Sequence, residues 1–333
     1  MLTHNWEYLI YGFFLYAFLL VTYLQFARKL QLTDIPNSRS SHQAITITGG
    51  GFIFPIAFIL PLLITGDFIH YRATITGLMI LALVSWSDDL KSVHPIVRVS
   101  VQVFAVSLLL WQTGGLFRMK PWQVIPGFIL VVGIINSYNF MDGINGMNAL
   151  YSLSIIGLIA VMKWMGNFSR LPDLNVFCSL LGSLLAFSLF NIRKKAFCFS
   201  GDVGSISIAY ILSLLIIQLM LETDSAEWIL LVGIYGLDSV GTIILRLIRG
   251  EKVWLPHRTH FYQFLVNEKK YSHVWVSLIY AISQFVLSII LWKGGILSAL
   301  LFYIFLILVY VCARLSMEGK YRLFTNYFTQ TTE

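Results

Sequence analysis

Runs of about 17 to 21 apolar residues recur along the whole chain, separated by short polar gaps, and each is long enough to cross a hydrocarbon core as a helix. In lipid, only helices and closed barrels satisfy their own backbone N–H and C=O groups. These runs are too long and too continuously apolar for barrel strands. The chain is therefore expected to be all-α, a single polytopic membrane helix bundle over residues 1–333. Eleven transmembrane helices are expected, over residues 7–26, 50–66, 72–87, 97–112, 122–138, 147–165, 173–190, 203–221, 227–247, 274–293 and 295–314. Composition separates this from two soluble domains: 57% of residues are hydrophobic and 12% charged, whereas soluble domains carry about 25% charge. The first run lacks a basic segment before it and a small-residue cleavage site after it, so it reads as a retained helix.

An odd number of spans puts the termini on opposite sides, and Lys and Arg choose which. The side holding the odd-numbered loops and the C-terminal tail carries 17 of the 23 Lys and Arg residues; the other carries 6. The C-terminus is thus expected to be cytoplasmic and the N-terminus outside. The net charge of +7 needs only this asymmetry and anionic headgroups, and no nucleic-acid partner is expected. Cys178, Cys198 and Cys312 lack paired spacing and read as apolar packing residues.

The odd-numbered loops also hold the residues that look like chemistry. The first contains "TDIPNSRSSH" and then "TGGGF", the third "SWSDDLKSVHP", the fifth "NSYNFMDGINGMN", the seventh "FSGDVGS" and the ninth "PHRTHFYQ". Asp34, Asp88, Asp89, Asp142 and Asp202 all fall at or near the same ends of spans, and a carboxylate at membrane depth is a functional hypothesis by default. Asp34, close before Pro36, also suits an ordinary turn. The adjacent Asp88 and Asp89 repel each other unless a cation is present. Glycines before apolar helices, in "GGG", "DG" and "GDVG", suit phosphate at helix N-termini. One surface that offers phosphate-binding helix ends and the basic His257, Arg258 and His260, yet gathers carboxylates, points to a divalent cation between acids and phosphate.

Five motifs, "DIPNSRSSH", "DDLKS", "NSYNFMDGINGM", "GDVGS" and "PHRTHFYQ", in this order on alternate loops, resemble the bacterial polyprenyl-phosphate N-acetylhexosamine-1-phosphate transferases (glycosyltransferase family 4). That superfamily includes the phospho-N-acetylmuramoyl-pentapeptide transferase. The resemblance implies transfer of a sugar-1-phosphate from a UDP-N-acetylhexosamine to undecaprenyl phosphate with release of UMP, at the cytoplasmic face of the bacterial inner membrane. It implies Mg²⁺, with Mn²⁺ as a substitute, and allows a homodimer. Carried over by motif, Asp202 is the principal Mg²⁺ ligand, and Asp88 and Asp89 handle metal or lipid phosphate. Asn139 and Asp142 line the active site, while His257, Arg258 and His260 contact the nucleotide sugar. Arg39, His42, Gly50, Lys91 and Asn136, in or beside these motifs, are expected to bind substrate.

The chain departs from the family pattern at Ser92, where DDxxD has its third acid, and at Asn145, where DGxDG has its second. The His-Arg-Thr-His form of the ninth loop is similar to the branch that initiates O-antigen and other surface polysaccharides. Some of its members use 6-deoxy amino sugars in place of N-acetylglucosamine, so the donor stays open. Because a phosphate monoester is mostly dianionic at neutral pH, direct attack on the sugar-bearing phosphorus is favoured over a phospho-aspartyl route. Asp238, inside the ninth span, reads as a polar packing residue, as a partner of Arg246, or as a secondary catalytic candidate. Two rivals are a transporter or flippase, which would place its acids near the midplane, and a CDP-alcohol phosphotransferase, which needs a tighter aspartate array.

Overall fold

A computed structural model describes residues 5–36, 41, 44–118, 120–166, 168–253, 255 and 257–324. The helices in chain order are α1 (Asn5–Lys29), α2 (Ile53–Thr65), α3 (Arg72–Leu90), α4 (Pro95–Gln112), α5 (Gly115–Arg118), α6 (Pro121–Met141) and α7 (Met147–Met165). They continue with α8 (Leu174–Asn191), α9 (Gly201–Thr223), α10 (Gly233–Ile248), α11 (Phe261–Asn267), α12 (His273–Met317) and α13 (Lys320–Phe324). Among the described residues, nine helical segments are long and apolar enough to cross a membrane. The protein is a polytopic all-α membrane protein.

The eleven expected spans are reached through α12 and α2. At 45 residues, α12 is about twice a bilayer core in length, and it breaks at Gly295, where φ is 74° and ψ 179°. That backbone region is open essentially to glycine alone. Tyr280 and Tyr310 both donate to the carboxylate of Asp238, at 2.7 and 3.2 Å. Thirty residues of unbroken helix would hold them roughly 45 Å apart. The two halves therefore run antiparallel as the tenth and eleventh spans. The second span is shorter than expected: α2 has 13 residues, about 20 Å of helix, with a single 3₁₀ turn over Gly50–Phe52 before it.

At the centre lies α9. Every residue from Val203 to Leu219 is buried, as expected of a helix that is apolar on all sides. It packs against α2, α3 and α6, while α1 and α7 close over α8, and α12 packs on α7. Cys198 is buried and Cys178 half-buried, but Cys312 is exposed on the outer surface, so the packing role expected of all three does not extend to it.

The first loop contributes something hydropathy does not announce. Thr33–Asp34 (β1) and Thr46–Ile47 (β2) form a short antiparallel ladder, and Ile47 bridges in parallel to Cys198. The triple glycine continues this seam: Gly50 N–H donates to the Phe199 carbonyl at 2.8 Å and Gly51 N–H to the Ser200 carbonyl at 2.9 Å. A Cβ on Gly204 would stand 2.7 Å from Gly51 Cα. Gly50 is buried with its N–H committed, so it is a packing residue and not the substrate contact expected from sequence.

This seam tolerates no side chain on Gly51, whereas Gly133 in α6 has open space around its Cβ position. Gly51→Ala is expected to destabilise the detergent-solubilised protein by about 3 kcal/mol or more, through overpacking of backbone on backbone. Gly133→Ala is expected to leave stability unchanged or slightly raised. Thermal unfolding of the two variants beside the parent checks both.

Candidate functional site

A cavity of about 380 Å³ lies at one end of the bundle, where all five odd-numbered loops meet. Asp34, Asp88, Asp89, Asp142 and Asp202 all line it, although they are spread across 169 positions of the sequence. Four arrive from helix ends, Asp88 and Asp89 from the last turn of α3, Asp142 from the C-cap of α6 and Asp202 from the first turn of α9, and Asp34 comes from β1.

The adjacent acids of α3 have different tasks. Asp89 reaches across to the start of α9 and accepts from Asp202 N–H at 2.9 Å and Val203 N–H at 3.2 Å, one bond per oxygen. A carboxylate there meets unpaired helix donors and the positive end of the dipole. Gly201 makes the approach feasible: φ is +70°, and a Cβ would stand 2.5 Å from Asp89 Oδ2. Two expectations change as a result. The N-terminus of α9 is already satisfied by Asp89 and does not stand open for phosphate. Asp89 itself is an anchor between two helices, so a metal would share oxygens that each already hold a bond.

Asp88 instead accepts from Val93 N–H at 2.6 Å and pairs with Arg98 at 2.8 Å. The other guanidinium nitrogen of Arg98 lies 3.2 Å from Asp202. Arg98, in the first turn of α4, was counted only as a loop charge in the sequence; its ten-residue distance from Asp88 is bridged by the turn that Asp88 itself closes. Asn139 completes this group. With its amide oriented to suit its neighbours, the nitrogen faces Asp202 Oδ1 at 2.9 Å and Ser205 Oγ at 3.0 Å, and the oxygen faces Arg98 at 3.2 Å.

On the opposite wall, Asp142 accepts from the Ser200 hydroxyl. Burial, reinforced by the nearby charges of Asp202 and Asp89, pushes the Asp142 carboxyl well above the usual range. Ser200 had no sequence signal beyond its place before "GDVGS". Asn145, at the family's second acid, is buried and turned away: its Nδ2 donates to the Arg193 carbonyl at 2.7 Å. A carboxylate could not make that donation. Ser92 is exposed.

The remaining expected substrate contacts divide. Arg39 and His42 lie outside the described residues. Lys91 is exposed at the C-cap of α3 and does not line the cavity. Asn136 sits a turn deeper, donating to Gln102 Oε1 at 2.9 Å and the Val132 carbonyl at 2.8 Å, which makes it a tie between α4 and α6. In the ninth loop, His257 packs at 4.9 Å from His260 ring to ring, and both pack beside Phe140. Burial, with His260 and Arg246 adding to it, lowers His257 to about 3. It is therefore neutral at physiological pH, unlike the exposed Arg258 beside it. Arg246 does not pair with Asp238. It holds Glu251 at 2.8 Å and the carbonyls of Lys252, Val253 and Leu255.

Among the described residues, no three His, Cys, Asp or Glu side chains form a ready metal cage. Among the described residues the cavity nevertheless offers five carboxylates, two of which share the Arg98 guanidinium. Mg²⁺ is commonly held by one or two carboxylates, with phosphate oxygens and water completing the shell. Asp202 and Asp88 fit that smaller demand, because one oxygen of each is held by the Arg98 side chain, whereas both oxygens of Asp89 are held by the backbone of α9.

Residues 71–220 match the family described as Glycosyl transferase family 4. A probable undecaprenyl-phosphate N-acetylglucosaminyl 1-phosphate transferase of Bacillus subtilis is 26% identical, over 91% of this chain and 90% of its own length. A phospho-N-acetylmuramoyl-pentapeptide-transferase of Streptococcus pneumoniae is 25% identical, over 84% and 91%. An undecaprenyl-phosphate alpha-N-acetylglucosaminyl 1-phosphate transferase of Yersinia pestis is 24% identical, over 80% and 78%. The matched segment runs from the start of α3 to near the end of α9, and so holds Asp88, Asp89, Arg98, Asn139, Asp142 and Asp202. Over residues 71–220 the chain is similar to glycosyl transferase family 4.

Proposed function

We propose that the protein transfers an N-acetylhexosamine-1-phosphate from a UDP-sugar to undecaprenyl phosphate, releasing UMP. The observation that carries this reading is the convergence of five carboxylates in one cavity at the end of the bundle, two of them paired with Arg98 behind the lining. A water-soluble nucleotide can enter there while a lipid acceptor lies along the helices. The names of the relatives support the chemistry. N-acetylglucosamine and 6-deoxy sugars such as N-acetylfucosamine and N-acetylquinovosamine are the donors to be compared, and initiation of O-antigen or another surface polysaccharide is the proposed role. The excess of Lys and Arg on the odd-numbered loops supports a cytoplasmic cavity and a periplasmic N-terminus.

In the reaction, an oxygen of the lipid phosphate forms a bond to the sugar-bearing phosphorus. The bond from that phosphorus to the bridging oxygen breaks, and its electron pair leaves with UMP. The acceptor is already mostly dianionic at pH 7, so positioning and charge stabilisation dominate over proton removal. Asp202 and Asp88 would hold Mg²⁺, whose chemistry is to neutralise phosphate charge. Arg98 stands between these two carboxylates, placed to exchange a carboxylate for a phosphate oxygen as substrate enters. Asn139 orients both Arg98 and Asp202. Asp89 acts one step back, fixing the helix turn from which Asp202 projects.

Purified protein given undecaprenyl phosphate, Mg²⁺ and a panel of UDP-amino sugars is expected to release UMP with one preferred donor. Chelation should abolish release and added Mg²⁺ restore it. Asp202→Asn should lower kcat by about a thousandfold, the scale of losing a principal charge-stabilising group. Lipid-independent release, or full activity in Asp202→Asn, contradicts the reading. Arg98→Ala should lower kcat/KM by about a hundredfold or more, with Arg98→Lys intermediate, because a point charge cannot span both carboxylates. For orientation, a fluorescent protein fused at the C-terminus should fold and fluoresce, and alkaline phosphatase fused there should stay inactive.

A further inference from the structure

Asp238 lies inside the Ala226–Ile248 span and is 1% exposed. A carboxylate at that depth persists only where donors replace its hydration. Five do so. Oδ1 accepts from Phe261 N–H at 2.9 Å, Thr242 Oγ1 at 3.2 Å and Tyr310 OH at 3.2 Å. Oδ2 accepts from Tyr262 N–H at 3.2 Å and Tyr280 OH at 2.7 Å. The two backbone donors belong to the start of α11, which directly follows the His257-Arg258-Thr259-His260 segment.

Arg314 grips the same segment from the other side. Its Nη2 donates to the Thr259 carbonyl at 2.9 Å, and its Nη1 to Tyr310 OH and Thr242 Oγ1 at 2.9 and 3.2 Å. Glu318 orients the guanidinium through Nε at 2.5 Å. Tyr310 and Thr242 thus accept from Arg314 and donate to Asp238, joining the two charges through two hydroxyls. Between the grips sits His260. It is 2% exposed, neither ring nitrogen has a hydrogen-bond partner among the described residues, and Nδ1 lies 3.8 Å from Asp238 Oδ1, too long for a hydrogen bond but within ion-pair reach. Its ring is held by packing against His257, Phe140 and Tyr262 and by the gripped backbone on either side of it.

Two connections run from the gripped segment to the cavity. Tyr262 OH donates to the Phe140 carbonyl at 2.8 Å and occupies the space a Cβ on Gly143 would need. Gln263 lines the cavity and accepts from His260 N–H at 3.4 Å. We infer that Asp238 and Arg314 are positioning residues, a buried clamp that seats the His257–His260 segment and α11 against the Asn139–Gly143 wall. Through that seating they set the affinity for the nucleotide sugar without touching it. The choice of ligand rests on the transferase reading; the clamp itself rests on these contacts.

The test uses the full-length protein in detergent, with amide hydrogen exchange over residues 257–267 and steady-state UMP release with the donor the parent prefers. Asp238→Asn turns one acceptor into an amide that faces donors, and Arg314→Lys loses the bond to the Thr259 carbonyl. Both are expected to speed exchange at Phe261 and Tyr262 and to raise KM for the UDP-sugar by about tenfold, with kcat changed less than about threefold, as removal of uniform binding requires. Tyr303→Phe, which cuts a bond from α12 to the Gly233 carbonyl outside the clamp, should leave exchange there and KM unchanged. Should Asp238→Asn fail to fold, Arg314→Lys decides. Unchanged exchange and KM in a folded variant, or a fall in kcat at constant KM, overturns the clamp. Absence of UMP release from the parent protein with every donor overturns the transferase reading alone, and exchange then still decides whether the clamp exists.

Discussion

Asp89 holds the first turn of α9, and most of what is particular to this molecule follows from that contact. The end of α3 is drawn against the start of the central helix, which requires a glycine at 201. Asp88 is thereby turned toward α4 and Asp202 toward the cavity. The arrangement resolves the repulsion between neighbouring acids, because one carboxylate is spent on a helix terminus and the other on Arg98. It also explains why the seventh loop has to meet the first. With the Asp202 turn fixed, Phe199 and Ser200 present carbonyls that only the backbone at Gly50 and Gly51 can reach.

Much of the architecture was legible because its cause is one-dimensional. A run of apolar residues of membrane length has few alternatives, and even the break between the last two spans is visible as Gly294 and Gly295 between two such runs. The five acids could be located because carboxylates beside apolar runs are conspicuous. What stayed hidden depends on contacts between segments far apart in the chain. Gly50 suggested a phosphate cradle until the Phe199 carbonyl was seen to occupy its N–H. Asn136 looked like part of a motif, but its amide is shared with Gln102 on another helix. Arg98 was one charge among many, since nothing local says that a guanidinium will face two carboxylates. The two histidines and the arginine of "PHRTHFYQ" read as a basic cluster, yet burial leaves His257 neutral.

The electrostatics of the cavity have a sign that matters for ligand entry. Five lining carboxylates, two of them paired with Arg98, make an environment hostile to a bare polyphosphate and hospitable to one that arrives with a cation. Arg98 keeps Asp88 and Asp202 from repelling each other when neither cation nor substrate is bound. Asp142, with its proton affinity raised by enclosure and by its neighbours, contributes less negative charge than its residue type suggests. The cavity is thereby less acidic than a count of its carboxylates, and more dependent on the few groups that hold each charge in place.

The fold-back of the last two spans has a consequence for how the molecule is made. Tyr280 and Tyr310 come from opposite arms of the hairpin, and both must reach Asp238. Arg314 follows at the far end of the second arm and reaches back to Thr259. During synthesis the ninth loop therefore emerges and waits: Asp238 is already in place behind it, but two of the donors that neutralise Asp238 have not yet been translated. Only after the ribosome has passed Arg314 and the final hairpin has inserted can the last wall of the cavity settle. The ligand-facing surface is completed from the C-terminal end of the chain.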